Sequence, residues 1–439
     1  MSAALRQQAV ALYRQGLSRI TPEHLLRQAL AVAPEGLRLR FLERQETVAL
    51  AAGARIWLLC IGKAAAPMAE EAHRLLGGRV AGGLVVTKEG FGLPGLPWPV
   101  HETGHPVPDA RGVRAAEAVE ALLRQPGAED LVLVLMSGGA SALLPAPLAG
   151  ISLEEKQALV QLMLRTNMDI HEINTVRKAV SRFKGGGLAA LAAPARVVGL
   201  YLSDVPGDNL SSIGSGPTVP EPVRFPAVVA LLREKGLWER VPASVRAALE
   251  RGEAPAKEPP IPPVNGLIGT NRHLLRAIQA AAEAAGFRVR AEETPTTGLN
   301  AEALPRLLAA WDAWRRTAGT PGAAGAPLCL VSGGETTVEV TGGGLGGRCQ
   351  ELAALMLPRL DERTVFLAAG SDGNDGPTDA AGGVVDAESW RRIQAEGIPY
   401  DALLADNDSY HLLERSGNLI KVPPTRNNVM DVHLFLGDA

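Results

Sequence analysis

The sequence is short of cysteine, short of lysine and without any long apolar run. Three cysteines, Cys60, Cys329 and Cys349, stand in 439 residues. That is too few for a disulfide framework and predicts a reducing, cytoplasmic setting. No excess of positive charge exists either: 44 Lys and Arg face 47 Asp and Glu, for a net charge of −3. This excludes a dedicated nucleic-acid or anionic-membrane surface. No stretch approaches the ~20 apolar residues that span a bilayer. The opening segment SAALRQQAVALYRQGL reads as an amphipathic helix with Arg6 and Arg14, not as a secretory signal. There is also no G-x-x-x-x-G-K-[ST], so a P-loop NTPase is excluded as a simple reading.

What is present is a succession of short apolar runs, each ending in small or polar residues. The pattern is clearest at Asp130–Ser141, DLVLVLMSGGAS. A run that is apolar at every position fits a strand buried on both faces, as in a parallel sheet covered by helices. Ser137-Gly138-Gly139 stops it, and glycines there let backbone N–H groups approach a ligand closely. Arg55–Ile61, Gly82–Thr87 and Arg196–Leu202 are similar runs, with helical patterns between them. Repeated β-loop-α units predict an α/β fold with a parallel sheet. Residues 1–52 read as two or three helices. Gly252–Pro263 (GEAPAKEPPIPP) reads as a linker, and Thr317–Pro327 as a second loop. The length supports two domains, 1–255 and 264–439.

The two halves echo one another. LVLVLMSGG near residue 135 has a counterpart in LCLVSGG near 330, and YLSDVPGD near 204 has one in AAGSDGNDGPTD near 372. Each half therefore offers a strand ending in Ser-Gly-Gly and a strand ending in Ser-Asp. Two sheets presenting such loops to one interdomain cleft is the expected arrangement.

Several residues on these loops could carry chemistry. Lys63 follows Gly62 at a strand end, where a lysine can meet a phosphate or carboxylate as a point charge. Arg348 closes the loop Gly342–Gly347, whose bare amides beside a guanidinium suit an anion. The acids Asp204, Asp208, Glu335, Asp372, Asp375 and Asp379 lie on strand-end loops, where phosphoryl transfer needs carboxylates for Mg²⁺ and for the attacking hydroxyl. His101 and His105 read as polar loop residues. Gly342–Gly347 also satisfies G-x-G-x-x-G, which keeps an NAD(P)-dependent oxidoreductase open. Against it, an arginine follows the third glycine and no acid falls at a clean ~20-residue spacing. A non-catalytic sugar-phosphate-binding module would use the Ser-Gly-Gly loops without the acids.

The motifs taken together resemble a known family. IGKAA (61–65), HPVPD (105–109), MSGGAS (136–141), NTVR (174–177) with Lys184-Gly185-Gly186, SDVPGD (203–208), GSGPT (214–218), SGGET (332–336), GGRCQE (346–351) and GSDGNDGPTD (370–379) run in order over nearly the whole chain. They resemble the class II glycerate 2-kinases, the MOFRL family. The resemblance implies ATP- and Mg²⁺-dependent phosphorylation of D-glycerate at its 2-hydroxyl. It also implies a Rossmann-like N-terminal domain and a smaller α/β MOFRL-type C-terminal domain; a homodimer is the expected assembly. By position, Lys63, Arg348 and Asp204 look like the catalytic residues. Ser137, Gly138, Gly139, Ala140, Ser141, Lys184, Gly333, Gly334 and Glu335 look like the nucleotide-binding residues, and Asp208 and Asp372 like the metal ligands. Two departures stand out. Cys349 replaces a usual asparagine, and VPPTRNNVMD (422–431) replaces a loop close to TGPTGTNVND, with Arg426 in place of glycine. Relatives labelled hydroxypyruvate reductase keep that alternative alive.

Overall fold

The computed structural model describes residues 2–252, 258–318 and 325–438. Parts of the 252–263 linker and of the 317–327 loop lie outside them. The chain forms two compact units, one of residues 22–268 and one of residues 1–21 with 269–439.

The unit of residues 22–268 holds two sheets. A small antiparallel sheet comprises β1 (Leu30–Ala33), β2 (Gly36–Arg40) and β3 (Gln45–Ala49). These strands correct the expectation of helices throughout 1–52. The alternation GLRLR, with Leu37 and Leu39 buried, is a strand pattern that helix formers on either side obscure.

The second sheet contains β4 (Ile56–Ile61), β5 (Val80–Lys88), β6 (Val100–Thr103), β7 (Leu131–Met136), β8 (Arg196–Leu202) and β9 (Val264–Gly269). Its spatial order is β6-β5-β4-β7-β8-β9, and the pairings of β5 with β6, β4 with β5, β4 with β7 and β7 with β8 are parallel. Taken as six strands in chain order this is 3-2-1-4-5-6, the doubly wound order, and the direction of winding reverses between β4 and β7. All six side chains of β4 and of β7 are buried, as a two-faced cover of helices requires. The helix Ala65–Leu76 follows β4, and Ala110–Leu123 precedes β7. Asp109 caps the latter by accepting the Gly112 N–H at 3.2 Å. Ser152 and Glu155 form the capping box of Leu153–Leu164. β9 lies beyond the proline-rich stretch yet belongs to this sheet, so 252–263 connects elements within one unit.

The other unit is built on a mixed sheet of β10 (Arg288–Ala291), β11 (Thr296–Leu299), β12 (Leu328–Thr337), β13 (Thr364–Gly370), β14 (Gly382–Asp386), β15 (Leu419–Ile420) and β16 (Asp431–Gly437). Its order is β10-β12-β16-β13-β14-β15, with β11 also on β12. β16 runs antiparallel between β12 and β13 and is buried at every position. The helix Ser2–Arg19 belongs here and not with the parallel sheet. Its Tyr13 hydroxyl donates to the Gly370 carbonyl at 2.6 Å, and Gly16 lies against Leu274 and Ile278 of the helix Asn271–Ala284. The grouping of 1–21 with 269–439 thus differs from the division at 255 and 264. An amphipathic helix records that one face must be covered, not which unit covers it. Among the described residues no helix is long and apolar enough to cross a membrane.

Candidate active site

In the unit of residues 22–268 the parallel register lines up the strand ends. Ile61 pairs with Met136, and Met136 with Tyr201, so the loops that begin at Gly62, Ser137 and Ser203 emerge side by side. They straddle the β4/β7 switch point, where open α/β sheets place their ligands. Backbone bonds knit the loops together. Lys63 N–H donates to Gly138 O at 3.0 Å, and Ala64 N–H donates to Ser137 Oγ at 3.0 Å. Ser137 is buried and its hydroxyl oxygen is spent on that turn. Gly139 adopts φ 86°, which favours glycine, and starts the short helix Ala140–Leu143. A Cβ on Gly138 would collide with the Asp204 carboxylate, and one on Gly139 would lie 3.1 Å from the His105 ring and 3.4 Å from Lys63 Cγ. Lys63, His105, the Gly138-Gly139 turn and Asp204 therefore form one cluster.

The charges in this cluster are distinct in kind. Lys63 is half-buried and makes no ion pair among the described residues. Burial, then the nearby Lys63 and Lys88, hold the His105 imidazole down at about 4, so it is neutral at physiological pH. His105, expected as a polar loop residue, lies in the HPVPD segment and faces the same glycine turn as Lys63.

Ser141 ends the loop at a second cationic group. Its Oγ accepts from Arg177 Nη2 at 2.6 Å and from Lys184 Nζ, which also donates to Gly214 O at 3.1 Å. Ser215 Oγ donates to Asn174 Oδ1 at 3.1 Å, tying the GSGPT loop to the helix Ile170–Ala179 that carries Arg177. Asp208 sits at φ 55° in the turn after Asp204. The Ser203–Asn209 turn offers oxygen donors without thiol or imidazole, a set that suits a hard cation held with phosphates. Among the described residues no group of three or more His, Cys, Asp or Glu gathers as a metal cage.

The unit of residues 1–21 and 269–439 places its predicted residues differently. Ser332, Gly333 and Gly334 do not form a strand-end loop. They continue β12 and pair with His433, Val432 and Asp431 of β16. A Cβ at Gly333 would strike the Asn271 side chain, whose Nδ2 donates to Val429 O and Asp431 O at 2.9 and 2.8 Å. These glycines thus serve close packing within the sheet, which corrects their reading as a phosphate loop. The amides of residues 342–345 in the glycine loop are also occupied. Gly342 N–H donates to Asn407 Oδ1, Gly343 N–H to Asp406 Oδ1 and Leu345 N–H to Asp408 Oδ1, at 2.9, 2.8 and 3.1 Å. A carboxylate-bearing turn of the chain itself fills the loop. No dinucleotide pyrophosphate can use those donors, and β12 is separated from the next strand, β13, by the antiparallel β16, so the two are not neighbours in the sheet.

Arg348 opens the helix Arg348–Met356 and is bidentate on Asp431: Nε to Oδ2 at 2.6 Å and Nη2 to Oδ1 at 2.9 Å. Its Nη1 lies 2.8 Å from Glu335 Oε1. Burial would lower the guanidinium, but Asp431 outweighs it and holds the group firmly charged. Asp375 caps the same helix, accepting from Cys349 N–H and Gln350 N–H at 3.2 and 2.8 Å. Burial, against those two bonds, pushes the Asp375 carboxyl up to about 7. Asp372 accepts the Asn374 N–H at 3.1 Å in a tight turn, while its carbonyl accepts from Thr425 N–H. Cys349 is buried, and burial and the neighbouring acids raise its thiol well above the ordinary range. A pocket of about 450 Å³ opens beside Gly347, Arg348, Glu351 and Asp375. Arg426 holds a left-handed φ of 58°.

Comparison with known proteins finds two family matches along the chain. Residues 8–250 match the family described as a domain of unknown function, DUF4147, and residues 328–431 match the MOFRL family. The chain is similar to the glycerate 2-kinase of Pyrococcus horikoshii, at 38% identity over 86% of each chain. It is similar to the D-glycerate 2-kinase of Thermotoga maritima, at 37% identity over 94% of this chain and 99% of that one. The crystal structure of the Thermotoga maritima glycerate kinase superposes with a TM-score of 0.86, covering 99% of this chain and all of the other.

Proposed function

Because the chain belongs to the DUF4147–MOFRL family of glycerate kinases, we propose that its β4/β7 switch point binds the phosphates of ATP and that Lys63 acts on the transferring group. The enzyme is a glycerate 2-kinase, and the single observation that carries the site is the convergence of Lys63, Gly138-Gly139 and Asp204 from three adjacent strand ends.

The reaction forms a bond between the 2-hydroxyl oxygen of D-glycerate and the γ-phosphorus of ATP and breaks the bond from that phosphorus to the β–γ bridging oxygen. ADP leaves, and the hydroxyl proton goes to a base. The Ser137–Ser141 turn, with Lys184 behind it, positions the phosphates. Lys63, which no carboxylate neutralises among the described residues, offsets charge on the phosphoryl group in the transition state. Asp204 lies against the glycine turn and accepts the hydroxyl proton. Mg²⁺, when bound, supplies charge neutralisation between the phosphates; Asp208 and the oxygen donors of its turn would hold it.

A coupled assay tests this reading. Glycerate, ATP and Mg²⁺ should yield ADP and 2-phosphoglycerate, and hydroxypyruvate with NADH or NADPH should show no nicotinamide oxidation. The reverse pattern would overturn it.

A further inference from the structure

Two cations of the parallel-sheet unit, Lys156 buried and Arg177 part-buried, have no counter-charge among the described residues. Lys156 lies on the helix Leu153–Leu164 and is 4% exposed, and its Nζ has no hydrogen-bond partner among the described residues. It shares the buried face of that helix with Leu159 and Met163, where an apolar residue would ordinarily stand. Arg177 approaches it from the next helix. One end of its guanidinium donates to Ser141 Oγ at 2.6 Å, while its buried Nε has no partner among the described residues. Neither side chain forms an ion pair among the described residues; the neighbouring Lys178 is the one that meets Glu221. Burial drives Lys156 down to about 7 and also lowers Arg177, with the two cations opposing one another. A buried charge without a partner is strongly unfavourable, and such a pair is retained where an anion completes it.

Arg348 offers the opposite environment. Its fork is closed on Asp431 and its remaining nitrogen faces Glu335, so one cation meets two carboxylates. An incoming carboxylate is repelled there and attracted at Arg177. Arg177 is only part-buried, so its free donors are open to a ligand, and it hangs on the last residue of the phosphate turn.

We infer that Arg177, backed by Lys156, is the site that binds the carboxylate of the hydroxy-acid acceptor. The inference rests on the kinase reading above. A planar guanidinium matches a carboxylate in a way that a lysine cannot, so Arg177→Lys should raise the KM for D-glycerate by roughly tenfold or more and leave the KM for ATP within about twofold. Lys156→Met, which keeps the volume and removes the amine, should also raise the glycerate KM without lowering Tm. Calorimetric titration of the intact protein with D-glycerate alone should show the same weakening in both variants.

A rise in the KM for ATP with an unchanged KM for glycerate would assign the pair to nucleotide phosphate and overturn the inference. Unchanged KM values for both substrates would make the pair structural and overturn it equally. A wild-type protein that forms no ADP with glycerate would instead overturn the kinase reading itself.

Discussion

Arg348 and Asp431 are 83 residues apart in the chain and share two parallel hydrogen bonds, on a carboxylate that is 1% exposed. Removing the guanidinium strands that carboxylate. Arg348→Ala should therefore lower stability by ~3–5 kcal/mol, as loss of one partner of a buried pair does. Urea unfolding of Arg348→Ala and of the double variant Arg348→Ala/Asp431→Asn checks it: the double variant should regain more than half of the loss. If it regains none, the ion pair is not what holds this region together.

Lys63 behaves in the opposite way. With no ion pair among the described residues to break, Lys63→Ala should leave Tm nearly unchanged while kcat/KM falls by ~10²-fold, the scale of one preorganised transition-state contact. Parallel melting curves and steady-state kinetics decide between this and a structural role.

The glycine turn can be tested without removing any charge. In Gly138→Ala the new methyl meets the Asp204 carboxylate, which must move. Displacement of a catalytic group by about 1 Å can cost up to ~10² in rate. The expected result is a lower kcat with a folded protein by circular dichroism.

His433 gives a pH signature. It is fully buried on β16, neither ring nitrogen has a partner among the described residues, and burial holds it at about 4 against an ordinary 6.5. Between those values the unfolded chain binds a proton that the folded chain refuses. Stability must fall as pH drops through that window. His433→Leu removes the penalty, so its stability relative to wild type should rise by roughly 2–3 kcal/mol between pH 7 and pH 4.5. Asp375 works in the other sense: its carboxyl is raised, so it lowers stability as pH climbs from about 4 to about 7. It therefore offsets part of the histidine slope in wild type and variant alike, and the difference between them isolates His433.

Arg426 carries a φ of 58° that glycine adopts freely. Arg426→Gly should raise stability by ~1 kcal/mol by relieving a left-handed conformation in a residue with a Cβ. Thermal melts would show it as an increase in Tm.

The parallel sheet and its strand-end loops were legible because fully apolar runs, stopped by Gly, Ser and Asp, record burial on two faces. Lys63 was legible for the same reason, since a scarce lysine stood at such a stop. The second Ser-Gly-Gly was misread because the same three letters serve two ends. After β7 they turn the chain, whereas within β12 they let Asn271 and Thr296 approach the strand. Local sequence does not distinguish the two. The bidentate partner of Arg348 and the filling of the Gly342–Gly347 loop depend on residues more than 60 positions away. Lys156 left a fainter trace. It interrupts the apolar stripe Leu153, Leu159, Met163, and a lysine on the inward face of a helix is a signal that charge is wanted inside.

The position of β16 bears on how the molecule is made. Residues 431–437 form not an edge but the middle of their sheet, between β12 and β13. The helix Ser2–Arg19, made long before them, packs on the same assembly. During synthesis the 22–268 unit has all of its strands by residue 269 and can close first. The other unit must wait, its earliest helix unhoused and two strands facing an empty lane, until β16 slides between them. A ribosome stalled before residue 431 would thus leave one finished domain tethered to an adhesive half-sheet, and it is that intermediate, more than any unfolded chain, that chaperones would have to shield.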